Sequence, residues 1–122
     1  MENKKIAQQF IENLFVNNDL AYEVVDENIR VNWPGFGMED LLGKQTLRNF
    51  LNEGGPDKVI EQKVTHLIAE VDVVIGTGSM ITERNGKTEK SHFADVYTIK
   101  NGKITNLTSY MVMDQSSQNT KS

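Results

Sequence analysis

The sequence contains no cysteine, which excludes disulfide cross-links and thiol chemistry and fits a reducing compartment such as the cytoplasm. It has only two histidines and no clustered carboxylates, a composition that argues against a metal site. No apolar run approaches the roughly 20 residues that a membrane helix needs. The opening Met1-Glu2-Asn3-Lys4-Lys5 leads into a mixed helix rather than the unbroken apolar stretch of a secretory signal. The formal charge is −4 and the lysines are scattered, so the concentrated basic surface that nucleic acid requires is missing. There is no Gly-rich phosphate loop, no nucleophile elbow and no zinc-type histidine pair. Gly76-Thr77-Gly78 lies inside a strand pattern and lacks the strand-to-helix context of a nucleotide fingerprint. The expectation is a protein with no metal, no organic cofactor, no nucleic-acid partner and no membrane span.

What is present fits one soluble domain of 122 residues, 38% hydrophobic and 25% charged. Residues 1–114 read as the domain. Gln115 to Ser122 carry no apolar side chain and read as a disordered polar tail. Helical spacing links Ile6, Phe10 and Leu14 in one ladder and Ala7, Ile11 and Phe15 in the next, which predicts a helix over about Asn3 to Val16. Asp19 is expected to cap a short second helix carrying Leu20, Val24 and Val25. A first strand follows over Asn28 to Trp33, ended by Pro34-Gly35. A third helix after Gly43 buries Leu47, Phe50 and Leu51 and stops at Gly54-Gly55-Pro56. From Lys58 onward the pattern is strand: Lys58–Glu70, Val73–Arg84, Thr88–Lys100 and Lys103–Met113. Asn85-Gly86 and Asn101-Gly102 join the last three, and Asn-Gly favours two-residue hairpins because both turn positions need positive φ. Helices first and a meander afterwards make the fold class α+β. Strands of this length twist and bend around whatever packs on their inner face.

Alternation sorts the two faces of each strand. Phe93, Asp95, Tyr97 and Ile99 are placed inward, as are Ile60, Gln62, Val64, His66 and Ile68, and Val74, Gly76, Gly78, Met80 and Thr82. Two glycines in the last set leave a hollow or permit a sharp bend. The outward Ile75, Ile81, Ala94, Val96, Tyr110 and Val112 are too apolar for a wet surface, which predicts a homodimer joined through the outer sheet face.

Two inward polar residues invite chemistry. A carboxylate buried at Asp95 either finds donors or takes up a proton. It then serves as a poised acid beside a pocket, unless a bulge turns it outward or it simply caps a buried hydroxyl. Histidine is a side-chain type suited to proton transfer near neutrality, so His66 is a candidate proton partner, or it is a satisfied core histidine. Asn32-Trp33-Pro34-Gly35-Phe36-Gly37-Met38 has the composition of an apolar pocket rim, or Trp33 merely plugs the core. Asn32 adds a neutral donor and acceptor beside it.

The order of elements and the stretch Asp95-Val96-Tyr97 followed by Asn101-Gly102-Lys103-Ile104 resemble the nuclear transport factor 2-like fold. Within it, about Lys5 to Asp114 is most similar to the SnoaL-like polyketide cyclase group. The resemblance implies a cystatin-like, cone-shaped domain with N-terminal helices in the concave face of a strongly curved, mostly antiparallel sheet. It also matches Asp95 to the strand aspartate that serves as the oxyanion-hole acid of ketosteroid isomerases, and to the acid/base aspartate of SnoaL-like cyclases. The isomerase base position holds Asn32, and its first-helix tyrosine falls near Phe10 or Ile11, which argues against steroid-type isomerisation. Asn32 is similar to the water-binding asparagine of limonene epoxide hydrolase, but the helper tyrosine would be Arg30 and the Asp-Arg-Asp set is missing. His66 resembles the strand histidine of scytalone dehydratase. No known catalytic set is complete.

These readings converge on a cofactor-free protein for a small apolar carbonyl or hydroxyl compound, with Asp95 and His66 as the catalytic pair. Asn32 and Tyr97 would orient the ligand, and Trp33, Phe36, Met80, Phe93 and Met111 would line its pocket. Isomerase, cyclase and dehydratase chemistry all fit, because the fold hosts many functions. A non-catalytic binder or a dimeric interaction module on the same fold are the alternatives.

Overall fold

The computed structural model describes residues 2–115. Expectations for residues 116–122 lie outside that range. In chain order the elements are α1 (Asn3–Asn13), α2 (Asn18–Glu23), β1 (Val25–Asn32), β2 (Leu41–Leu42), α3 (Lys44–Gly54), β3 (Lys58–Glu70), β4 (Val73–Arg84), β5 (Lys87–Lys100) and β6 (Lys103–Met113). All six strands form one sheet in the order β2-β1-β6-β5-β4-β3. Every neighbouring pair is antiparallel except β1 and β6, which run parallel. The meander therefore returns to lie beside the first long strand. Among the described residues, no helix is long and apolar enough to cross a membrane.

The hairpins form as their turn chemistry demands: Asn85 and Gly86 sit at φ 53° and 80°, Asn101 and Gly102 at 52° and 77°. The N-terminal helices are shorter than their hydrophobic ladders. α1 ends at Asn13, whose amide donates back to the Gln9 carbonyl at 2.8 Å. Leu14 is already extended, and Phe15 enters the left-handed region at φ 67°. The Asn18 side chain holds that turn by accepting from the Phe15 N–H at 2.7 Å. Asn17, not Asp19, caps α2, accepting from the Leu20 N–H at 3.3 Å. β1 then begins at Val25, earlier than the polar run Asn28 onward indicated.

The core lies between the helices and one face of the sheet, the inner face. Ile6, Ala7, Phe10 and Ile11 of α1 and Ala21 and Tyr22 of α2 meet Val74, Tyr97, Ile99 and Leu107 of the sheet. Phe10 is the pivot, with edge-on contacts to the Tyr22 and Tyr97 rings at centroid distances of 6.3 and 6.2 Å. Each large side chain buried this way contributes on the order of 2 kcal/mol.

The inner face of β3 departs from simple alternation. The β3–β4 register slips between Val59 and Glu61 and again between Val64 and His66. Each β-bulge reverses which residues point inward. Gln62 and Val64 keep the expected inner position, opposite Met80 and Gly78, whereas His66 pairs with Thr77, Leu67 with Gly76, and Ile68 with Ile75. His66 and Ile68 therefore face outward, and Ile60 falls in the first slip; all three are exposed. β3 is an edge strand, where bulges commonly interrupt a pairing surface.

The glycines of β4 do not leave a hollow. A Cβ on Gly76 would approach the side chains of Ile11 and Leu67 at 3.2 and 3.3 Å, and one on Gly78 would lie 2.0 Å from the Lys63 carbonyl oxygen. They are glycines because neighbours already fill that space, one of them the bulged backbone of β3.

Candidate active site

Rows across the sheet show where the open space lies. On the inner face, Gly76, Asp95 and Ser109 form one row. Gly78, Phe93 and Met111 form the next, followed by Met80, Ser91 and Met113, and then Thr82 with Glu89. A cavity of about 470 Å³ opens over the outer rows, floored by Met80, Thr82 and Arg84 of β4, Glu89 and Ser91 of β5, and Met111 and Met113 of β6. Its other walls are Trp33, Phe36 and Met38 from the loop after β1, Phe15 from the turn after α1, and the end of α3 with Gly54, Gly55 and Pro56. The size suits a compact organic ligand.

Local chemistry holds the walls in place. Trp33 follows Val31 on the inner side and packs against Phe50 of α3, with ring centroids 5.4 Å apart. The left-handed turn at Phe15 directs its ring against Gly55, where a Cβ would come within 2.6 Å of the ring. The chain after Trp33 turns through Gly35 at φ 91° and Gly37 at φ 68°, which only glycine adopts freely. The polar part of the cavity consists of the Thr82 and Ser91 hydroxyls on the floor and the Arg84–Glu89 ion pair, separated by 4.0 Å.

Asp95 lies in the row next to that of Met111, the nearest floor residue, and two rows from Ser91, with Phe93 between them on β5. The Tyr97 hydroxyl donates to Asp95 Oδ2 at 3.0 Å. Asp95 Oδ1 is shielded from solvent and has no hydrogen-bond partner among the described residues. Burial pushes the carboxyl up to about 6, against the pull of hydrogen bonding from Ser109 and Tyr97. Asp95 is thus a carboxyl that holds a proton in the weakly acidic range, with Oδ2 tied to Tyr97. The Ser109 hydroxyl of the neighbouring strand is near enough to favour the charged form but makes no hydrogen bond to Oδ1 at bonding distance. Tyr97 is fully buried, and its hydroxyl is held well above the ordinary phenol value by burial and by the Asp95 charge. A second shielded oxygen, Tyr22 Oη, also has no hydrogen-bond partner among the described residues. Burial pushes Tyr22 up to about 12, with the Arg48 guanidinium 4.9 Å from its ring pulling the other way.

The structure brings together only part of the predicted set. Trp33, Phe36, Met80 and Met111 line the cavity. Phe93 is not a lining residue; its ring stands over Gly78, with Cζ 3.0 Å from where a Cβ would be. Tyr97 belongs to the core and serves Asp95, not a ligand. Asn32 is turned to the outer face, opposite Thr108, whose hydroxyl donates to Asn32 Oδ1 at 2.8 Å; neighbouring residues of a strand cannot both face the cavity. His66 is exposed on the outer face, with Nδ1 3.2 Å from the Thr77 hydroxyl, so it does not share a space with Asp95. Met38 comes from the loop expected at the pocket rim, whereas Phe50, Leu51, Ser91 and Met113 lie outside the expected lining. Ser91 and Met113 carry the parity of Phe93 and Met111 and could have been found from it. Phe15 could not, because nothing in its sequence position announces a left-handed turn.

A family profile described as SnoaL-like domain matches residues 7–107. No curated protein matches the chain. Among solved structures, a protein of unknown function with a cystatin-like fold from Xanthomonas campestris superposes with a TM-score of 0.77 at 19% identity, covering 97% of this chain and 95% of that one. A candidate SnoaL-like polyketide cyclase from Mesorhizobium loti reaches 0.72 at 24% identity, over 90% and 99%. TerC co-crystallized with polyporic acid reaches 0.74 at 15% identity, over 96% and 95%. At these identities the likeness establishes the fold: α+β and cystatin-like, with N-terminal helices on a six-stranded, mostly antiparallel sheet.

Proposed function

The chain belongs to the SnoaL-like domain family, and on that premise we propose that its cavity binds a small, mostly apolar carbonyl or hydroxyl compound and that Asp95 is its acid/base group. The observation that carries this reading is Asp95 Oδ1, a shielded carboxyl oxygen left without a partner on the inner face, one row behind a cavity walled by aromatic and methionine side chains. A buried polar atom with no partner is costly to keep. It is accounted for if a ligand oxygen completes it. Tyr97 fixes Oδ2, so the proton that Asp95 carries below about pH 6 goes to Oδ1, the oxygen free to donate it. Phe93 stands on β5 between Asp95 and Ser91 of the floor, so this reading requires its ring to give way to a ligand group. Isomerase, cyclase and dehydratase steps all need such a donor. His66 has no part in this reading, and Tyr97 is a positioning residue.

The experiment has two stages. Native mass spectrometry of the purified protein, followed by soaking with ketones, epoxides and polycyclic phenols, tests for a bound small molecule. Turnover of any binder by the wild type and by Asp95→Asn then separates an enzyme from a carrier. An enzyme loses turnover by at least about a hundredfold in the variant, the lower range for general acid/base groups; a carrier shows no turnover in either form. Failure of every compound to bind would leave the interaction-module alternative.

The outer face supports an assembly proposal. Ile68, Ile75, Tyr110 and Val112 are 59, 41, 50 and 65% exposed and lie with Ala94 and Val96 in adjacent rows of the outer face. Contiguous apolar sheet surface of this kind marks a protein interface, and a second copy of the chain is the proposed occupant. Sedimentation of the wild type as a dimer, and of Val112→Glu as a monomer with unchanged circular dichroism, is the expected outcome. A monomeric wild type at micromolar concentration would refute it.

A further inference from the structure

The chain has five methionines and no cysteine. Met38, Met80, Met111 and Met113 all line the one cavity described above, and Met1 lies outside the described residues. They arrive there from three places: Met38 from the loop after β1, Met80 from β4, and Met111 and Met113 from β6. None of the four falls in the buried class, so none is sealed in the core. The inner-face rows place Met80 and Met113 on either side of Ser91, and Met111 beside Phe93.

Thioethers on a cavity wall do two things. Unoxidised, they are soft and adaptable apolar surface that conforms to ligands of different shape. They are also oxidisable, and in a chain without thiols they are four of its five sulfur atoms. A peroxide transfers one oxygen to a thioether sulfur: the O–O bond breaks, an S–O bond forms, the sulfur loses two electrons and water leaves. The product, methionine sulfoxide, is polar and is reversed by sulfoxide reductases. On this wall it would set a strong acceptor against an apolar ligand, with Thr82, Ser91 and Arg84 as the side-chain donors among the described lining residues.

We infer that the cavity is a peroxide-responsive ligand site, in which oxidation of the Met38, Met80, Met111 and Met113 sulfurs releases an apolar ligand and reduction restores binding. The inference rests on the cavity being a ligand site, as proposed above, but not on Asp95 acting as an acid.

The test uses the full chain and the fluorescent apolar probe 1-anilinonaphthalene-8-sulfonate, with Trp33 as the internal reporter, since it is the only tryptophan and lines the cavity. Binding is measured before and after graded hydrogen peroxide, and oxidation is located by peptide mass mapping. The expected result is oxidation at the four cavity methionines, slowed when the probe is bound. Probe affinity should fall by about tenfold or more, the scale of an unsatisfied polar group set against an apolar ligand, and return after treatment with methionine sulfoxide reductases. A variant with all four methionines changed to leucine should bind the probe and ignore peroxide. If that variant fails to fold, the paired variant Met80→Leu with Met111→Leu should show a reduced response. Unchanged affinity of fully oxidised protein, or loss of fold on oxidation without prior loss of the probe, would overturn the inference. Failure of the untreated protein to bind any apolar probe would instead refute the ligand-site reading beneath it.

Discussion

Replacing Asp95 by asparagine should make the protein more stable at neutral pH. Asparagine keeps the shape of the side chain and an oxygen to accept from the Tyr97 hydroxyl, but it removes the charge. The carboxyl moves from 3.8 to about 6 on folding because burial disfavours its ionised form. At about 1.36 kcal/mol for each pH unit, this is worth about 3 kcal/mol. The sign follows from proton linkage. The folded chain holds the Asp95 proton more tightly than the unfolded chain, so the favourable contribution is whole below about pH 4 and is lost as pH rises through 6. At pH 7.5 the wild type therefore carries the full cost of a buried carboxylate, and Asp95→Asn does not. For a chain of this size, about 3 kcal/mol corresponds to a rise in melting temperature of about 10 °C. Urea unfolding of both proteins at pH 7.5, 6.0 and 4.0 measures the gap directly. It should be largest at pH 7.5 and close towards pH 4. Equal stability at pH 7.5, or a gap that does not depend on pH, would refute the reasoning. A variant that is both more stable and inactive has the signature of a group kept for function at the expense of stability.

Other outcomes follow from the same geometry. His66→Ala removes one exposed contact with Thr77 and should change unfolding free energy by less than about 0.5 kcal/mol, with ligand binding unaltered; a loss of binding would put the site on the wrong face. Gly78→Ala drives a methyl group into the Lys63 carbonyl and should cost about 2 kcal/mol or more by urea denaturation, whereas Gly86→Ala, in open space at φ 80°, should cost about 1 kcal/mol. Asn32→Ala breaks the Thr108 hydrogen bond on the outer face and should cost about 1 kcal/mol while leaving probe affinity unchanged in a fluorescence titration.

The meander could be read from sequence because its signals are local. Asn-Gly dipeptides fix two hairpins, and β4 pairs with β5 along its whole length without a slip, so parity along β5 correctly turned Asp95 and Tyr97 inward. β3 was opaque for the opposite reason. Its two bulges are made by backbone register against β4, and no residue type in Lys58–Glu70 announces them, so counting in twos carried His66 to the wrong face. Asn32 is a different failure: its neighbour Trp33 faces the cavity, and alternation alone required Asn32 to face away. The β4 glycines suggest a hollow or a sharp bend, but a missing Cβ is equally the sign of a neighbour that comes close, and only the positions of Ile11, Leu67 and Lys63 decide. The cavity lies instead beyond Phe93, where the loop after β1 and the end of α3 close over the methionines. That closure depends on the left-handed turn at Phe15 and on the packing of Trp33 against Phe50, both of them long-range consequences of the fold.

The proposed acid requires Asp95 to hold its proton well into the weakly acidic range inside the folded protein. Carbon-13 NMR titration of the aspartate side-chain carboxyls, with the Asp95 resonance assigned by its loss in Asp95→Asn, reads that property directly. A midpoint near pH 6 is the predicted result. A midpoint near the ordinary value of 3.8 would show an ionised, solvated carboxylate and would contradict the proposed acid.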